Sequence, residues 1–296
     1  MFDWFEASGV GLAHGDAGTR GAPVPRVMGV VNVTPDSFSD GGRWLEPDAA
    51  VAHGLALVAA GADLLDVGGE STRPGADPVD AAEERRRVEP VVARLVAECG
   101  VPVGVDTTKA DVAAAAIGVG AQLVNDVSAG RFDPRMFGVV ARSGVGIVLT
   151  HMLGEPRTMQ HDPRYEDVLR EVADALLERR GAAEAAGIDA SAIALDPGIG
   201  FGKTTAHNLA LLAHLDALVA RVGSPVVVGT SRKRFIGRVL ADVGGVAGEP
   251  APDARDDGTL ATVVWAAQCG ARVVRVHDFE SAARALALLA RVEAAA

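Results

Sequence analysis

The chain has 296 residues, of which 49% are hydrophobic, so it can bury the core of one large domain or two small ones. Its formal net charge of −11 argues against a nucleic-acid-binding surface, which would be basic. Its start does not resemble an export signal, and no apolar run is long enough to span a bilayer. We therefore expect a soluble, cytoplasmic protein that binds neither nucleic acid nor a membrane.

The chain divides into a short leading segment and one long domain. Residues 1–25 are rich in glycine and polar residues, and we interpret them as a flexible N-terminal extension. Residues 26–296 carry a regular alternation of apolar runs and helical spacing. The cysteines, Cys99 and Cys269, lack the spacing of a pair, which suits reduced thiols in a reducing compartment.

The long domain repeats one unit, a strand followed by a helix. The predicted strands are 26–31, 64–67, 101–105, 122–124, 146–149, 193–196, 225–228 and 272–276. The predicted helices are 48–60, 81–98, 110–118, 134–143, 165–186, 208–222, one ending near 240, 259–269 and 281–292, with a polar Pro/Gly-rich stretch at 244–257. The strands are short apolar runs without alternation, as in a parallel sheet buried on both faces. Eight such units favour an α/β fold of the (β/α)8 TIM-barrel type in a single domain.

In such barrels the functional site lies at the carboxyl ends of the strands. Nearly every predicted strand here ends at a polar or charged side chain that could bind a ligand or act in catalysis. These side chains are Asn32, Asp106, Asn125, His151, Asp196, Lys233 just beyond its strand, and Arg275 with His277. Polar residues at strand ends are common in any barrel, because loops are polar. That alternative explains less well why Arg275 and His277 stand two positions apart, on one face of a strand.

These side chains fall into acceptors and cations. Asp106, Asn125 and Asp196 suit a flat heterocycle with several N–H groups, although each is also compatible with a structural cap. We interpret Asp66 and Asp126 as structural, because each competes with a better-placed neighbour. The cationic candidates suggest an anionic group such as a phosphate, against the alternative of surface ion pairs; they are Arg73, Lys233, Arg275 and His277.

Two loops are open to further interpretation. Residues 32–42 form a loop dense in oxygen ligands, which fits Mg²⁺ bridging to a diphosphate or a polar loop without metal. Gly41 and Gly42 would let this loop move as a lid. Residues 197–203 are glycine-rich, but Pro197 occupies the place where a nucleotide-binding P-loop needs its first glycine, so we exclude that motif.

At these residues the chain resembles dihydropteroate synthases, the folate-pathway enzymes that sulfonamides inhibit. Seven motifs occur in the family's order: MGVVNVTPDSFSDGG at 28–42, DVGGESTRPG at 66–75, VDT at 105–107, NDV at 125–127, DPGIGFGK at 196–203, SRK at 231–233 and RVHD at 275–278. The match runs from about residue 26 to the end, and seven ordered motifs are far more specific than one.

The resemblance implies a barrel that condenses 6-hydroxymethyl-7,8-dihydropterin diphosphate with 4-aminobenzoate, giving 7,8-dihydropteroate and diphosphate. It implies that the pterin and its diphosphate are bound by Thr72, Asp106, Asn125, Asp196, Lys233, Arg275 and His277. It implies that the 4-aminobenzoate is bordered by Arg73, Pro74, Phe201 and Lys233. The residues expected to act in catalysis are Asp106, Lys233, Arg275 and His277. Asn32 is expected to share Mg²⁺ with the diphosphate.

Other functions remain open at this stage. A pterin-binding methyltransferase of the same barrel type would share the pterin carboxylates but not the loop at Thr72–Pro74 or the pair Arg275 and His277. A non-catalytic paralogue would be expected to lose loop residues. The resemblance also implies a homodimer. Arg234, where some relatives carry serine, could bind the aminobenzoate carboxylate or point outward, and no motif covers residues 244–258.

Overall fold

The computed structural model describes residues 24–34, 47–73, 75–244 and 248–295. The predicted extension therefore lies outside the described residues except for its last two positions, and so do most of the oxygen-rich loop and Pro74. Within the described ranges, no helix combines the length and the apolar character needed to cross a bilayer.

The strands in the described part of the chain make one eight-stranded parallel sheet. They are β1 (Arg26–Asn32), β2 (Leu64–Gly68), β3 (Val103–Asp106), β4 (Leu123–Asp126), β5 (Gly146–Thr150), β6 (Ile193–Asp196), β7 (Val227–Val228) and β8 (Val273–Val276). Neighbouring strands follow the chain from β1 to β6, and β8 lies between β1 and β7. A bridge between Leu195 and Val226 joins β6 to β7, so the sheet closes into a barrel. The prediction of a single-domain (β/α)8 barrel is confirmed.

The helices surround the barrel. They are α1 (Pro47–Ala59), α2 (Ala81–Glu98), α3 (Ala110–Gly118), α4 (Met136–Ser143), α5 (Val168–Ala185), α6 (Thr205–Ala213), α7 (Leu215–Val222), α8 (Arg234–Gly244), α9 (Asp256–Gln268) and α10 (Phe279–Ala294), with 3-10 turns at Ala190–Ala192 and Asp253–Arg255.

The structure divides the helix predicted at 208–222 into α6 and α7. The backbone of His214, with φ −119° and ψ 29°, leaves the helical region between them. Leu211 and Leu215 on the two sides of this break are both fully buried. Because the apolar spacing continues across the break, the sequence pattern could not reveal it.

Alternation along the strands places polar groups inside the barrel above an apolar layer. The lower layer of the barrel interior is made of Met28, Leu64, Leu123, Val148, Ala194, Val227 and Val273. Since side chains two positions apart on a strand share a face, the next inward positions belong to Asp66, Asn125, Thr150, Asp196 and Arg275. Apolar side chains thus fill the amino-terminal half of the barrel, and polar side chains occupy the carboxyl-terminal half.

Candidate active site

Arg275 of β8 links two carboxylates in the middle of the barrel mouth. Its Nε donates to Asp66 Oδ2 at 2.6 Å, and its Nη2 donates to Asp106 Oδ2 at 2.9 Å. Burial lowers the pKa of Arg275, but the charges and hydrogen bonds of the two carboxylates outweigh it, and the pKa is raised. The guanidinium therefore stays charged and acts as a fixed cation between β2 and β3.

The same cluster pairs one cation with two carboxylates, which favours the protonated form of Asp106 until a ligand supplies compensating charge. Burial, followed by the neighbouring Asp66 carboxylate, raises the pKa of Asp106, and Arg275 opposes this effect. One guanidinium cannot neutralise two carboxylates. A ligand that brings N–H donors or a developing positive charge to Asp106 would relieve this imbalance.

Asp66 orients Asn125. Asn125 Nδ2 donates to Asp66 Oδ2 at 2.9 Å, which leaves the Asn125 amide oxygen as an acceptor for a ligand. Asp66 itself is fully buried, and its Oδ1 has no hydrogen-bond partner in the described structure. The interpretation of Asp66 as a structural residue stays a prediction, and the structure adds that its side chain faces into the barrel and holds Asn125 and Arg275.

Asp126, the other carboxylate interpreted as structural, behaves as expected. Its carboxylate accepts hydrogen bonds from the backbone amides of Ser128 at 2.7 Å and Gly130 at 2.8 Å. It follows Asn125 directly in β4, so its side chain points to the opposite face of the sheet, away from the barrel interior. Asp126 thus shapes the loop after β4.

Asp196 ends β6 on the opposite side of the mouth from Asp66. Its Oδ1 accepts from the Gly198 amide at 2.7 Å. A methyl group added at Gly229 would lie 3.9 Å from Asp196 Oδ2 and 3.7 Å from Arg275 Cβ, so both side chains border the same small space. Burial raises the pKa of Asp196, opposed by the charge of Lys233 and the Gly198 amide.

The glycine-rich loop after Asp196 is pressed onto the end of β5. Gly198 and Gly202 have φ of 66° and 63°. A Cβ at Gly198 would lie 1.8 Å from the carbonyl oxygen of His151, and one at Gly202 would lie 2.5 Å from that of Leu153. Only glycine satisfies both the backbone conformation and the lack of space at these positions.

Lys203 anchors this loop from inside. It is 2% exposed, and its Nζ lies 2.9 Å from His151 Nδ1, 3.0 Å from the Gly198 carbonyl oxygen and 3.1 Å from that of Phe201. Burial, with the charge of Lys233 adding, lowers the pKa of Lys203 well below its usual value. Sequence reasoning included Lys203 in a motif without giving it a role. The signal that could have found it was a lone lysine in a loop otherwise short of polar side chains.

Lys233, in the loop after β7, reaches the same glycine-rich loop from the neighbouring strand. Its Nζ donates to the Ile199 carbonyl oxygen and lies 4.4 Å from the centroid of the Phe201 ring. Burial lowers the pKa of Lys233 to about 8, and the charge of Asp196 opposes that shift. The Phe201 ring packs against a small cluster that includes Met152 and Met159. The ring and the ammonium together form one wall of the mouth.

His277 is neutral at pH 7, in contrast to its place among the predicted cations. Burial and then the charge of Arg275 lower its pKa to about 3. The backbone amide of His277 donates to Ser231 Oγ at 3.1 Å, and that oxygen is 2.9 Å from His277 Nδ1. Since Oγ accepts from the amide, its own hydrogen can serve Nδ1, which leaves the ring proton on Nε2. His277 is then a neutral donor at the edge of the site.

The remaining predicted residues lie around the rim. Arg73 is exposed in the loop after β2, and its charge contributes to lowering the pKa of His277, so the two are near each other. Thr72 is partly exposed beside it. Asn32 ends β1 in register with Gly68. Pro74 and the proposed lid glycines lie outside the described residues.

Arg234 points outward. Its side chain is 66% exposed, and Nε donates to Glu249 Oε2 at 2.8 Å. Arg238 Nε donates to the other carboxylate oxygen of Glu249 at 3.0 Å. Of the two possibilities left open for Arg234, the structure shows the outward one, and it gives the stretch without a motif a role in holding this side chain.

The fold and the site together define a class. A closed (β/α)8 barrel gathers buried acceptors from β3, β4 and β6 with cations from the loop after β7 and from β8. Such a mouth fits a flat ligand that has ring N–H groups and an anionic tail. The molecule is a small-molecule enzyme of the (β/α)8-barrel class.

Comparison with known proteins narrows this class. The family described as pterin binding enzyme matches residues 28–277. The dihydropteroate synthase of Mycobacterium leprae (strain TN) is 51% identical over 266 residues, which cover 90% of this chain and 92% of that protein. The dihydropteroate synthase of Xanthomonas albilineans with 4-aminobenzoic acid aligns with a TM-score of 0.83 at 49% identity, over 92% of this chain and 94% of that one. A structure of that organism's enzyme in complex with 7,8-dihydropteroate has a TM-score of 0.80 at 47% identity, with the same coverage.

The chain belongs to the pterin-binding enzyme family, within the group of dihydropteroate synthases. The predicted resemblance, the barrel and a transferase of this type are confirmed. The roles assigned to individual residues stay predictions.

Proposed function

We propose that the chain condenses 6-hydroxymethyl-7,8-dihydropterin diphosphate with 4-aminobenzoate, giving 7,8-dihydropteroate and diphosphate. The observation that carries this proposal is the convergence of Asp106, Asn125 and Asp196 with Lys233 and Arg275 at one barrel mouth. The solved relatives that bind 4-aminobenzoic acid and 7,8-dihydropteroate support it.

The pterin is held by the acceptors deep in the mouth. Asp106 and Asp196 carry raised pKa values because they are buried, and ring N–H groups would compensate the buried charge of each. The Asn125 amide oxygen, left free by the bond to Asp66, adds a third acceptor. Lys233 lies close enough to Asp196 for their charges to interact, and it completes the pterin site.

The leaving diphosphate is held by donors of β8, of the residues that follow it and of the loop after β2. Breaking the bond from the pterin methylene to oxygen places positive charge on the methylene and negative charge on the departing group. Arg275 supplies a fixed guanidinium, His277 supplies a neutral Nε2–H, and Thr72 lies in the adjoining loop. Carboxylates beneath the pterin and donors around the diphosphate stabilise both charges as they develop.

The 4-aminobenzoate is bordered by the rim. Phe201 and the Lys233 ammonium form its inner wall, and Arg73 with Pro74 belongs to the loop expected on the other side. An aromatic amine is already neutral at pH 7, so its nitrogen attacks the methylene without a strong base. The proton that it loses on bond formation passes to solvent or to the departing diphosphate.

We propose that Mg²⁺ is held jointly by Asn32 and the diphosphate. Asn32 ends β1 with a partly exposed side chain at the same edge as Asp106, and an amide oxygen is a ligand that Mg²⁺ accepts. Among the described residues, there is no group of three or more His, Cys, Asp or Glu side chains that could hold a metal ion. A site with one protein oxygen and substrate phosphates fits the residues present. When bound, the ion supplies charge to the departing diphosphate.

We also propose that the chain forms a homodimer and works in a reducing cytoplasm. Leu209 of α6 and Trp265 of α9 are 44% and 46% exposed, and the Trp265 indole donates to the Leu212 carbonyl oxygen, so they mark an apolar face on the barrel wall. Cys99 and Cys269 are free thiols. Light scattering on the protein and on a Leu209→Glu variant tests the dimer: an unchanged mass would argue against this face.

The test of the reaction is product formation. Purified protein with Mg²⁺, pterin diphosphate and labelled 4-aminobenzoate is expected to give labelled dihydropteroate, which a methyltransferase or a non-catalytic paralogue would not make. Lys233→Ala is expected to lower kcat by at least ~10²-fold, because positioning and charge stabilisation are each worth about that much. Arg238→Ala, an exposed cation on the next helix, is the control and should keep normal turnover. No product would refute the reaction, and near-normal turnover of Lys233→Ala would refute the role given to Lys233.

A further inference from the structure

The turn that delivers Lys233 contains a strained residue. Arg232 has φ 59°, in the left-handed region, although it carries a Cβ. It stands between Ser231, which contacts His277, and Lys233, which contacts the Ile199 carbonyl oxygen. A non-glycine residue keeps this conformation only when its surroundings impose it.

The start of α9 holds Arg232 by its side chain. Arg232 Nε donates to Asp256 Oδ1 at 2.9 Å, and Nη2 donates to Asp256 Oδ2 at 2.8 Å. This is a two-point contact between two planar groups, which fixes orientation as well as distance. Both side chains are partly buried, with exposures of 32% and 24%.

The backbone of Arg232 is held by the same element. Its amide donates to Thr259 Oγ1 at 3.0 Å, and its carbonyl oxygen accepts from Arg255 Nη1 at 3.0 Å. Asp256, Thr259 and Arg255 all lie within one helical turn of the start of α9. Both sides of the strained residue are thus tied to a single rigid segment.

That segment is packed closely against α8. A Cβ at Gly258 would lie 2.4 Å from Ile236 Cγ2, and one at Gly237 would lie 2.8 Å from Arg255 Nε. The first turn of α9 is therefore seated directly on the first turns of α8. Asp256 keeps a set position relative to the helix that follows Lys233.

We propose that Asp256 is a positioning residue for the reaction: by clamping Arg232 in the left-handed conformation, it sets the directions of Ser231 and Lys233 at the substrate site. Asp256 acts through Arg232, which joins the two site residues. This inference rests on the proposed function of Lys233 and His277. If Arg232 relaxed to an extended or right-handed conformation, the chain direction on one side of it would change. Lys233 and Ser231 could not then both keep their contacts.

Two substitutions of Arg232 separate the effect of its backbone conformation from the effect of losing its guanidinium charge. Arg232→Ala and Arg232→Gly both remove the guanidinium, but only alanine resists the left-handed conformation. Arg232→Ala and Asp256→Ala are expected to lower kcat/KM for 4-aminobenzoate about tenfold, the factor that corresponds to the usual cost of that conformation. Arg232→Gly is expected to stay within about threefold of the wild type. Adding Asp256→Ala to Arg232→Gly should cause no further loss, since the glycine turn needs no clamp.

A second readout needs no substrate. The Lys233 amide donates to the Thr230 carbonyl oxygen at 3.1 Å across the turn. Hydrogen exchange of this amide should accelerate in Arg232→Ala and Asp256→Ala and stay slow in Arg232→Gly. Asp174→Ala, which removes the acid of the exposed Arg221–Asp174 pair, is the matched control and should change neither readout.

The outcomes distinguish this inference from the proposed reaction. An inactive wild type with the expected exchange pattern would refute the reaction and leave the clamp standing. Equal kinetics and equal exchange in Arg232→Ala and Arg232→Gly would overturn the clamp. So would an Asp256→Ala protein that melts at a lower temperature but keeps wild-type kcat/KM at 25 °C, because that result assigns Asp256 to stability alone.

Discussion

Arg275 and Asp66, separated by 209 positions in the sequence, meet in the barrel at 2.6 Å between Nε and Oδ2. The same carboxylate oxygen accepts from Asn125, so one buried group orients both a cation and an amide of the site. Asp66 needs no contact with a substrate to matter. Its effect passes through the two residues that it holds.

We predict that Asp66→Asn impairs pterin binding more than its cost in stability would suggest. Weakening two hydrogen bonds to a buried charge should lower the free energy of unfolding by about 1–3 kcal/mol. It should also raise KM for the pterin diphosphate, because Arg275 and Asn125 lose their common anchor. Asp126→Asn is the control, since Asp126 is equally buried but faces away from the barrel. Similar KM values in the two variants would contradict the role given to Asp66.

We predict that kcat/KM for 4-aminobenzoate falls as the pH rises through about 8. Burial lowers the pKa of Lys233 to about 8, so the ammonium is charged below that pH and neutral above it. Loss of this charge weakens the site for anionic substrates. In Lys233→Arg the fall should move to higher pH, because a guanidinium does not lose its proton in this range. A pH profile from 6 to 9.5 measures both proteins; an unshifted fall in the variant would assign the titration to another group.

We predict that Asp196→Asn weakens binding of the pterin more than binding of 4-aminobenzoate. Removing one charged acceptor from ring N–H groups should cost about 1.5–3 kcal/mol of pterin affinity. Calorimetry with each ligand measures the difference. Asp189→Asn provides a matched control before the amino end of the same strand, where Asp189 caps a short 3-10 turn. Equal losses for both ligands would contradict the assignment of Asp196 to the pterin.

We predict that Lys109→Met strongly destabilises the folded protein, because Lys109 joins the loop that carries Thr72 and Arg73 to α2. Lys109 Nζ donates to Glu70 Oε2 at 2.8 Å and to Glu84 Oε2 at 2.5 Å, and Glu84 is fully buried. Leaving that carboxylate without its cation should lower the free energy of unfolding by about 3–5 kcal/mol at pH 7. Urea unfolding measures the loss, and Arg85→Met, from the exposed pair with Glu89, should cost little.

The pH dependence of this loss provides a further check. Burial raises the pKa of Glu84, and without Lys109 its folded state takes up a proton more readily than the unfolded chain does. The destabilisation should therefore shrink as the pH falls from 7 to 5. Adding Glu84→Gln should restore part of the stability. A loss that is independent of pH, with no restoration, would show that Glu84 is not the reason for it.

The barrel could be predicted because it follows from patterns within short stretches of the sequence. Short apolar runs that alternate with helical spacing define each βα unit, and eight units leave few arrangements other than closure. The residues at the ends of the strands followed from the same patterns, which is why Asp106, Asn125 and Asp196 could be proposed together. The break at His214 was missed because the apolar spacing does not change across it.

The pairing inside the site could not be predicted in the same way. Asp66 was assigned to structure because it precedes the end of its strand, and only alternation around a closed barrel shows that it faces Arg275. His277 was counted as a cation because no local feature reveals the burial and the neighbouring charge that keep it neutral. Asp256 lies in a stretch without a motif, and its contact with Arg232 spans 24 positions.

The amino-acid sequence by itself determined the repeated unit, the edge of the sheet where chemistry gathers and the family to which the chain belongs. These depend on periodicity, on residue type and on spacing along the chain, which can be read in order. Only the tertiary structure decided which carboxylate holds which cation, which histidine stays neutral and which way Arg234 points. These depend on burial and on distances between residues far apart in the chain, because the energy of a charge is set by its surroundings in space.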